Sequence, residues 1–184
     1  MARQQKSRLT EAFRKALLVE FSRPYERGTI DGYILDIGPE FFLLGLVEYD
    51  LRFDGFLCVR IPDVRRLKAP CPHADFIVAA LRKRGQSIKR KPDVDLTGLP
   101  VLLRSAGRLF PLVTIHRERI DPDTCKIGQV IEVSDSHLML REIDADAVWE
   151  DKATRIRLSD ITRVDFGGGY EEALHLVGGK PKHK

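Results

Sequence analysis

The residues with the strongest capacity for chemistry are six cations crowded into one short stretch. Lysine and arginine fill six of the ten positions from 82 to 91, namely Arg82, Lys83, Arg84, Lys89, Arg90 and Lys91. Cations at this density can follow a phosphate backbone or another anionic surface. The structural alternative is a solvated helix end and linker, in which the cations stabilise the helix C-terminus. The sequence leaves both interpretations open.

Two aspartate–arginine pairs recur with the same spacing. Asp63 stands three residues before Arg66, and Asp160 stands three residues before Arg163. Such pairs could recognise a charged ligand, but aspartate is also common in tight turns, where its carboxylate accepts backbone N–H bonds. We therefore predict that these four residues build two equivalent structural turns.

Carboxylates cluster at two predicted hairpins, where they could bind Mg²⁺ or Ca²⁺. The clusters are Glu48, Asp50 and Asp54 in the first half and Asp144, Asp146 and Asp151 in the second. Their spacing is not that of an EF-hand, and acidic hairpin loops are commonly only solvated. The later histidines, His116, His137, His175 and His183, lack the spacing of zinc ligands. We predict no metal site and no cofactor.

The three cysteines argue against a catalytic thiol. Cys71-Pro72-His73 brings a thiol near an imidazole in sequence, but a Cys/His pair needs contact in space and an orienting third group. We predict instead that this tripeptide opens a helix, with proline at its first position. Cys58 is typical of a strand core. Together with Cys125 the chain has three cysteines, and this odd number without CxxC spacing indicates a reducing cytoplasm. No residue set predicts catalysis, so we expect that the protein is not an enzyme.

Trp149 is the one tryptophan of the chain and stands beside an acidic predicted turn. An exposed aromatic ring at such a place could stack on a base or anchor a protein partner. One aromatic residue does not decide between these two uses.

The elements that must position these residues occur twice, because the chain contains an internal repeat. The two copies are residues 32–67 and 128–164. An offset of 96 places Gly32 on Gly128, and one extra residue in the second copy then places Asp63 on Asp160. Self-similarity at a fixed spacing indicates one supersecondary unit used twice.

Each copy is predicted to contain a short helix followed by five short strands. Apolar periodicity predicts a helix from Ser7 to about Lys15, and turn residues separate the strands that follow. The predicted strands are 16–23, 29–37, 41–48, 56–61 and 64–67, then 112–116, 128–133, 137–143, 154–158 and 161–164. Further helices are predicted at 73–84, 99–106 and 170–177.

Composition bounds the domain organisation. The chain has 184 residues, 43% of them hydrophobic, which is enough to bury a core, and a mild net charge of +4. No apolar run approaches the length of a membrane span, so we expect no membrane contact. We predict a first unit at 1–84, a basic linker at 85–95, a second unit at 96–177 and a disordered tail at 178–184.

The order of the predicted elements resembles the Sm-like fold, a small SH3-like antiparallel barrel capped by an N-terminal helix. Asp50–Phe56, Val59–Arg66 and, more loosely, Asp146–Arg163 also resemble segments of uncharacterised bacterial proteins with tandem Sm-like repeats. The resemblance implies a mainly β fold with short helices. It implies two tandem five-stranded antiparallel barrels, each preceded by a short helix.

The resemblance does not imply RNA binding at a ring pore. The turns at 61–64 and 158–161 carry neither the Arg-Gly nor the Lys-His with which Sm-like proteins read RNA. We therefore expect a non-enzymatic binding or assembly module that contacts a protein partner or associates with itself. The alternative is an RNA-associated protein that contacts phosphate backbone through the basic stretch at 82–91.

Overall fold

The computed structural model describes residues 2–88 and 90–181 of the chain. These residues form ten antiparallel strands and four α-helices, so the prediction of a mainly β fold with short helices is confirmed. The chain divides into two compact units, Met1–Pro92 and Asp93–Lys184. We call them unit 1 and unit 2.

Unit 1 opens with a helix and continues with five strands. Its elements are α1 (Ala2–Arg14), β1 (Leu18–Ser22), β2 (Ile30–Ile37), β3 (Phe41–Val47), β4 (Phe53–Arg60), a 3-10 turn (Ile61–Asp63), β5 (Arg65–Lys68) and α2 (Ala74–Lys83). The hydrogen-bonded strand order is β5-β1-β2-β3-β4. The last strand therefore returns to lie beside the first.

Unit 2 repeats this sequence of elements. They are α3 (Leu99–Leu109), β6 (Val113–His116), β7 (Cys125–Val133), β8 (His137–Glu142), β9 (Thr154–Arg157), a 3-10 turn (Leu158–Asp160), β10 (Arg163–Phe166) and α4 (Gly169–Gly178). The strand order is β10-β6-β7-β8-β9, which matches unit 1 strand for strand. In both units the described strands are paired as an open sheet.

The sequence repeat is matched down to an irregularity in the strand pairing. The register between β2 and β3 shifts between Ile34 and Asp36. The register between β7 and β8 shifts between Val130 and Glu132, at the positions that the offset of 96 predicts. A bulge adds a residue to one strand and bends it, so both units bend their second strand at the same point.

Both faces of the unit 1 sheet are covered by apolar side chains. On one face, Leu9 and Ala12 of α1 pack with Phe21 and Leu44 in a fully buried cluster. On the other face, Ile77 and Leu81 of α2 pack against Leu18 and Tyr33. Burying two faces gives this small unit a larger core than a single-sided sheet would have.

Helix α1 begins at Ala2, five residues before the predicted start at Ser7. Its first turns are held by side chains that reach distant backbone: Gln5 donates to the carbonyl of Val64, and Arg8 donates to the carbonyl of Leu67. These contacts stabilise a polar helix start that lacks the apolar periodicity used for the prediction.

Unit 2 also has its C-terminal helix packed against the sheet. Leu174 of α4 joins Leu112 and Ile143 in a buried cluster. Leu140 on β8 and Leu103 on α3 are fully buried as well. Among the described residues, no helix combines the length and the hydropathy needed to cross a membrane.

Candidate functional site

The basic stretch at 82–91 is divided between structural and solvent-exposed cations. Arg84 donates to the carbonyl of Asp50, and Lys91 pairs with the carboxylate of Asp36 at 2.5 Å. The remaining described cations of the stretch are exposed, and they are Arg82, Lys83 and Arg90. Lys89 lies outside the described residues. Half of the cations in the predicted site are therefore presented to solvent.

The segment predicted as a linker combines irregular backbone with buried residues. Residues 86–88 and 90–98 form neither helix nor strand. Val94 and Leu96 are nevertheless buried, which anchors the end of this segment in unit 2. The basic stretch at 82–91 comes just before these two buried residues in the sequence.

The two units carry opposite net charges. Residues 1–92 hold 18 of the 31 Lys and Arg side chains and 11 of the 27 Asp and Glu side chains, a net +7. Residues 93–184 hold the other 13 and 16, a net −3. The basic character of the protein therefore resides in unit 1, which also contains the basic stretch.

The predicted Asp–Arg pairs lie at equivalent 3-10 turns. A backbone hydrogen bond closes each turn. In unit 1 the N–H of Val64 donates to the carbonyl of Ile61 at 3.3 Å, and in unit 2 the N–H of Ile161 donates to the carbonyl of Leu158 at 3.1 Å. Asp63 is buried, and Arg66 is exposed with a φ of 46°. The two turns are thus closed by the same backbone hydrogen bond, but Asp63 is buried whereas Asp160 is half-buried.

Arg163 takes part in a three-residue polar network on the unit 2 sheet. The Nε2 atom of His116 lies 2.9 Å from the Oδ2 atom of Asp165 and 2.9 Å from the Nη2 atom of Arg163. The Nε–H of Arg163 donates to the same Asp165 oxygen at 3.1 Å. Burial disfavours ionisation of Asp165, but the Arg163 guanidinium and His116 outweigh it and hold its pKa below the usual range.

Cys125 is the cross-strand neighbour of His116, which places a thiol, an imidazole and a carboxylate on one sheet. A nucleophilic cysteine requires a thiolate, which a lowered pKa provides. Here the partial burial of the thiol and the nearby Asp165 carboxylate raise the pKa of Cys125. The thiol is therefore protonated at neutral pH. The three side chains are those of a nucleophile site, but their electrostatics do not provide the thiolate that such a site needs.

Cys71 and His73 do not form a catalytic pair either. Burial raises the pKa of the Cys71 thiol to about 11, with Asp31 and Glu20 adding to the shift. His73 is exposed, with a φ of 60°, and it precedes the first residue of α2. The prediction that Pro72 occupies the first helical position is wrong, because the helix begins two residues later.

The acidic hairpins are built from local hydrogen bonds. The Oδ1 atom of Asp144 accepts the backbone N–H groups of Asp146 and Val148, at 3.0 and 2.8 Å. In unit 1, Asp50 pairs with Arg52 at 3.3 Å. In the described part of the chain, no group of three or more His, Cys, Asp or Glu side chains is arranged to hold a metal ion.

Two surfaces of unit 2 were not predicted as sites. One is an exposed apolar surface that we call the α4 patch, formed by Val148, Leu176 and Val177, which are 60%, 84% and 76% exposed. Gly178, next to Val177, packs against the backbone of Ala147, next to Val148, so the two chain segments lie close together here. The apolar pair Leu176-Val177 near the end of α4 was the one available signal in the sequence, and it also fits an ordinary helix.

The other surface is a groove of about 340 Å³ whose wall includes Trp149. The residues that line it come from four separated parts of the sequence: 107–111, Gln129, Trp149, and residues 175, 180 and 181. The sequence singles out Trp149 as a candidate binding residue, but no pattern in it indicates which residues lie beside the indole.

No protein family, characterised protein or solved structure matches the chain when its sequence and its fold are compared with them. The geometry of these surfaces therefore carries the functional argument.

Proposed function

We propose that the protein is a non-enzymatic assembly module, built from two Sm-like units, that associates with a second copy of itself through the α4 patch. The observation that carries the proposal is the exposure of Leu176 and Val177, at 84% and 76%, beside Val148. Exposed apolar side chains that are contiguous, unlike scattered ones, mark interaction surfaces. Covering them with the same surface of a second molecule removes apolar area from water.

The non-enzymatic part of the proposal is supported by the state of the thiols. Cys71 and Cys125 lie nearest to candidate catalytic partners, and the pKa of each thiol is raised. A protonated thiol is a poor nucleophile. The Asp165 carboxylate is already bonded to Arg163 and His116, so its Oδ2 atom is occupied by structural partners.

The Sm-like part of the proposal is supported by the strand order shared by both units. In each unit the fifth strand pairs with the first, the helix precedes the sheet, and a 3-10 turn precedes the last strand. Closure of each bent sheet into a barrel is the further step that this proposal includes. Two superposable closed barrels in a crystal structure of the protein would support it.

The test of self-association measures mass in solution by size-exclusion chromatography with light scattering. We expect wild-type protein to exceed the 20.9 kDa of a single chain. The double variant Leu176→Ser/Val177→Ser should return to the single-chain mass, because polar hydroxyls remove the apolar surface. Tyr49→Ser is the matched control, since Tyr49 is 100% exposed in unit 1 and should leave the mass of the assembly unchanged. A single-chain mass for the wild type at every concentration would overturn the proposal.

A second candidate function is contact with single-stranded RNA through the basic stretch. The exposure of Arg82, Lys83 and Arg90 and the net +7 of unit 1 favour it. Phosphate contacts release counterions, so log affinity should fall with log salt by about 0.7 per contact for single strands. The slope can be measured by fluorescence anisotropy with a labelled RNA oligonucleotide.

The variant for this test replaces only the exposed cations, as Arg82→Gln/Lys83→Gln/Arg90→Gln, because Arg84 and Lys91 also hold structure. We expect a shallower salt slope and an unchanged melting temperature. The control is the triple exchange to glutamine at Lys152, Arg155 and Arg157, which are exposed in unit 2. Absence of RNA binding at low salt would reject this candidate.

A further inference from the structure

The groove of unit 2 has the dimensions of a small-molecule site. Its volume of about 340 Å³ lies at the lower end of the range of about 300–1,000 Å³ in which ligand pockets fall. It lies where the end of α3 and the end of α4 meet β7 and the loop between β8 and β9. Its wall is made of side chains from four elements, so it depends on the folded unit.

One wall of the groove is a tryptophan held in place before any ligand arrives. The indole Nε1–H of Trp149 donates to the carbonyl of Gly178 at 3.1 Å. The ring also packs against the buried cluster of Leu112, Ile143 and Leu174. Because both its polar atom and part of its ring are engaged, the indole loses little further freedom when a flat ligand stacks on it.

A second aromatic ring lines the same groove. Phe110 packs on Phe166 with ring centroids 4.8 Å apart, which fixes its position. Gln129 adds an amide, which has both donor and acceptor atoms and can pair with the edge of a heterocycle. The groove thus combines flat apolar surface with one polar group suited to a base edge.

The rim of the groove is cationic. Arg108 and Lys180 line it, both residues are exposed, and the lining residues include no Asp or Glu within the described part of the chain. This is notable in a unit whose net charge is −3. His175 adds an imidazole whose Nδ1 has no hydrogen-bond partner among the described residues. The local charge therefore suits an anion, although the unit as a whole repels anions.

We propose that this groove binds a nucleotide. The base stacks against Trp149 and Phe110 and is recognised at its edge by Gln129, while the phosphate is bound by Arg108 and Lys180. Aromatic surface and two cations lining one groove are the combination that a nucleotide requires, since it joins a flat ring to a charged group. This proposal rests on neither self-association nor the basic stretch at 82–91.

The test uses the intrinsic fluorescence of the full chain, because Trp149 is its single tryptophan. Titration with adenosine monophosphate should quench the emission saturably, and inorganic phosphate should compete with it. Arg108→Gln and Lys180→Gln should each weaken binding by roughly two- to fivefold, as expected for one exposed charged contact. Lys152→Gln is the control, since this cation is close to Trp149 in sequence, exposed, and outside the groove lining.

Melting temperatures equal to that of the wild type establish that the variants are folded. Competition by inorganic phosphate in the wild type tests the contact of the phosphate group with Arg108 and Lys180 without any substitution. The proposal is overturned if the emission does not saturate, if adenosine binds as tightly as its monophosphate, or if Lys152→Gln weakens binding as much as Arg108→Gln.

The nucleotide can be free or part of an RNA strand, and a second titration separates these sources. A short oligoadenylate that binds more tightly than adenosine monophosphate, with the same dependence on Arg108, assigns the groove to a strand. Equal or weaker binding of the oligonucleotide assigns it to a free nucleotide.

Discussion

Gly32 on β2 lies so close to the backbone carbonyl of Gly45 on β3 that a Cβ atom at residue 32 would be less than 3.0 Å from that oxygen. The equivalent Gly128 on β7 stands in the same relation to the carbonyl of Arg141 on β8. In the strand pairing, Gly32 lies opposite Leu46 and Gly128 lies opposite Glu142. In each unit, the residue opposite the glycine directly follows the residue whose carbonyl is close. The repeated glycine therefore marks a close approach of two strands, which any side chain would force apart.

Replacing either glycine should destabilise its unit. We expect Gly32→Ala and Gly128→Ala each to lower the free energy of unfolding by about 1–3 kcal/mol, because the new methyl group meets backbone that cannot move aside. Urea unfolding measures the loss. Gly28→Ala is the control, since a Cβ atom there meets nothing within 4 Å. Equal stability of Gly32→Ala and Gly28→Ala would contradict the close approach.

The leucines that the repeat aligns should be core residues of equal importance. Leu44 and Leu140 are both 0% exposed. Truncation to alanine should cost about 2–5 kcal/mol at each position through lost burial and a residual cavity. Ile120→Ala, at a residue that is 58% exposed, provides the comparison. Thermal unfolding curves that shift no more for the leucine variants than for this control would show that the core lies elsewhere.

Two aspartates should affect stability in opposite directions at neutral pH. Burial, with a contribution from Glu20, raises the pKa of Asp31, whereas Arg163 and His116 overcome burial and lower the pKa of Asp165. Ionised Asp31 thus weakens the fold once the pH exceeds the ordinary aspartate range, while ionised Asp165 strengthens it. Asp31→Asn should therefore raise the free energy of unfolding at pH 7, and Asp165→Asn should lower it by roughly 1–3 kcal/mol.

The pH dependence of these two variants gives the sharper measurement. The deficit of Asp165→Asn should shrink as the pH falls through the lowered folded-state pKa, because the wild-type carboxylate is then neutral too. The advantage of Asp31→Asn should disappear below the unfolded-state pKa of about 4. Urea unfolding across this range tests both, and a pH-independent difference for either variant would show that its charge is not the cause.

The three cysteines should differ in their rates of reaction with a thiol reagent such as DTNB. Cys125 is exposed, whereas Cys58 and Cys71 are buried. One thiol per chain should react in the native state, more slowly than a free cysteine because its pKa is raised, and the other two only after unfolding. Cys125→Ser should abolish the native reaction. Two or more rapidly reacting thiols would contradict the burial of Cys71.

The succession of the strands along the chain could be predicted from local signals. Turn residues such as Gly38 and Pro39 separate apolar runs, and the repeat shows that one pattern was used twice. Local signals were less reliable at the helix starts. Helix α1 begins before Ser7 because Gln5 and Arg8 bond to backbone about sixty residues away, and no local pattern reports such bonds.

The candidate sites depended on contacts between distant residues. Sequence reasoning singled out Trp149 and the basic stretch but did not place Arg108 or Lys180 beside the indole. It also counted Lys91 among free cations, although Asp36, 55 positions earlier, pairs with it.

Periodicity and turn chemistry along the chain are enough to predict a unit used twice, the succession of its strands and the apolar positions of its core. Tertiary structure alone decided which charges are paired and which aromatic rings are exposed. It brought His116 to Arg163 and Asp165, and it left the α4 patch uncovered in unit 2. The physical reason is that electrostatic and packing energies depend on distance in space, and this distance is set only when the whole unit folds.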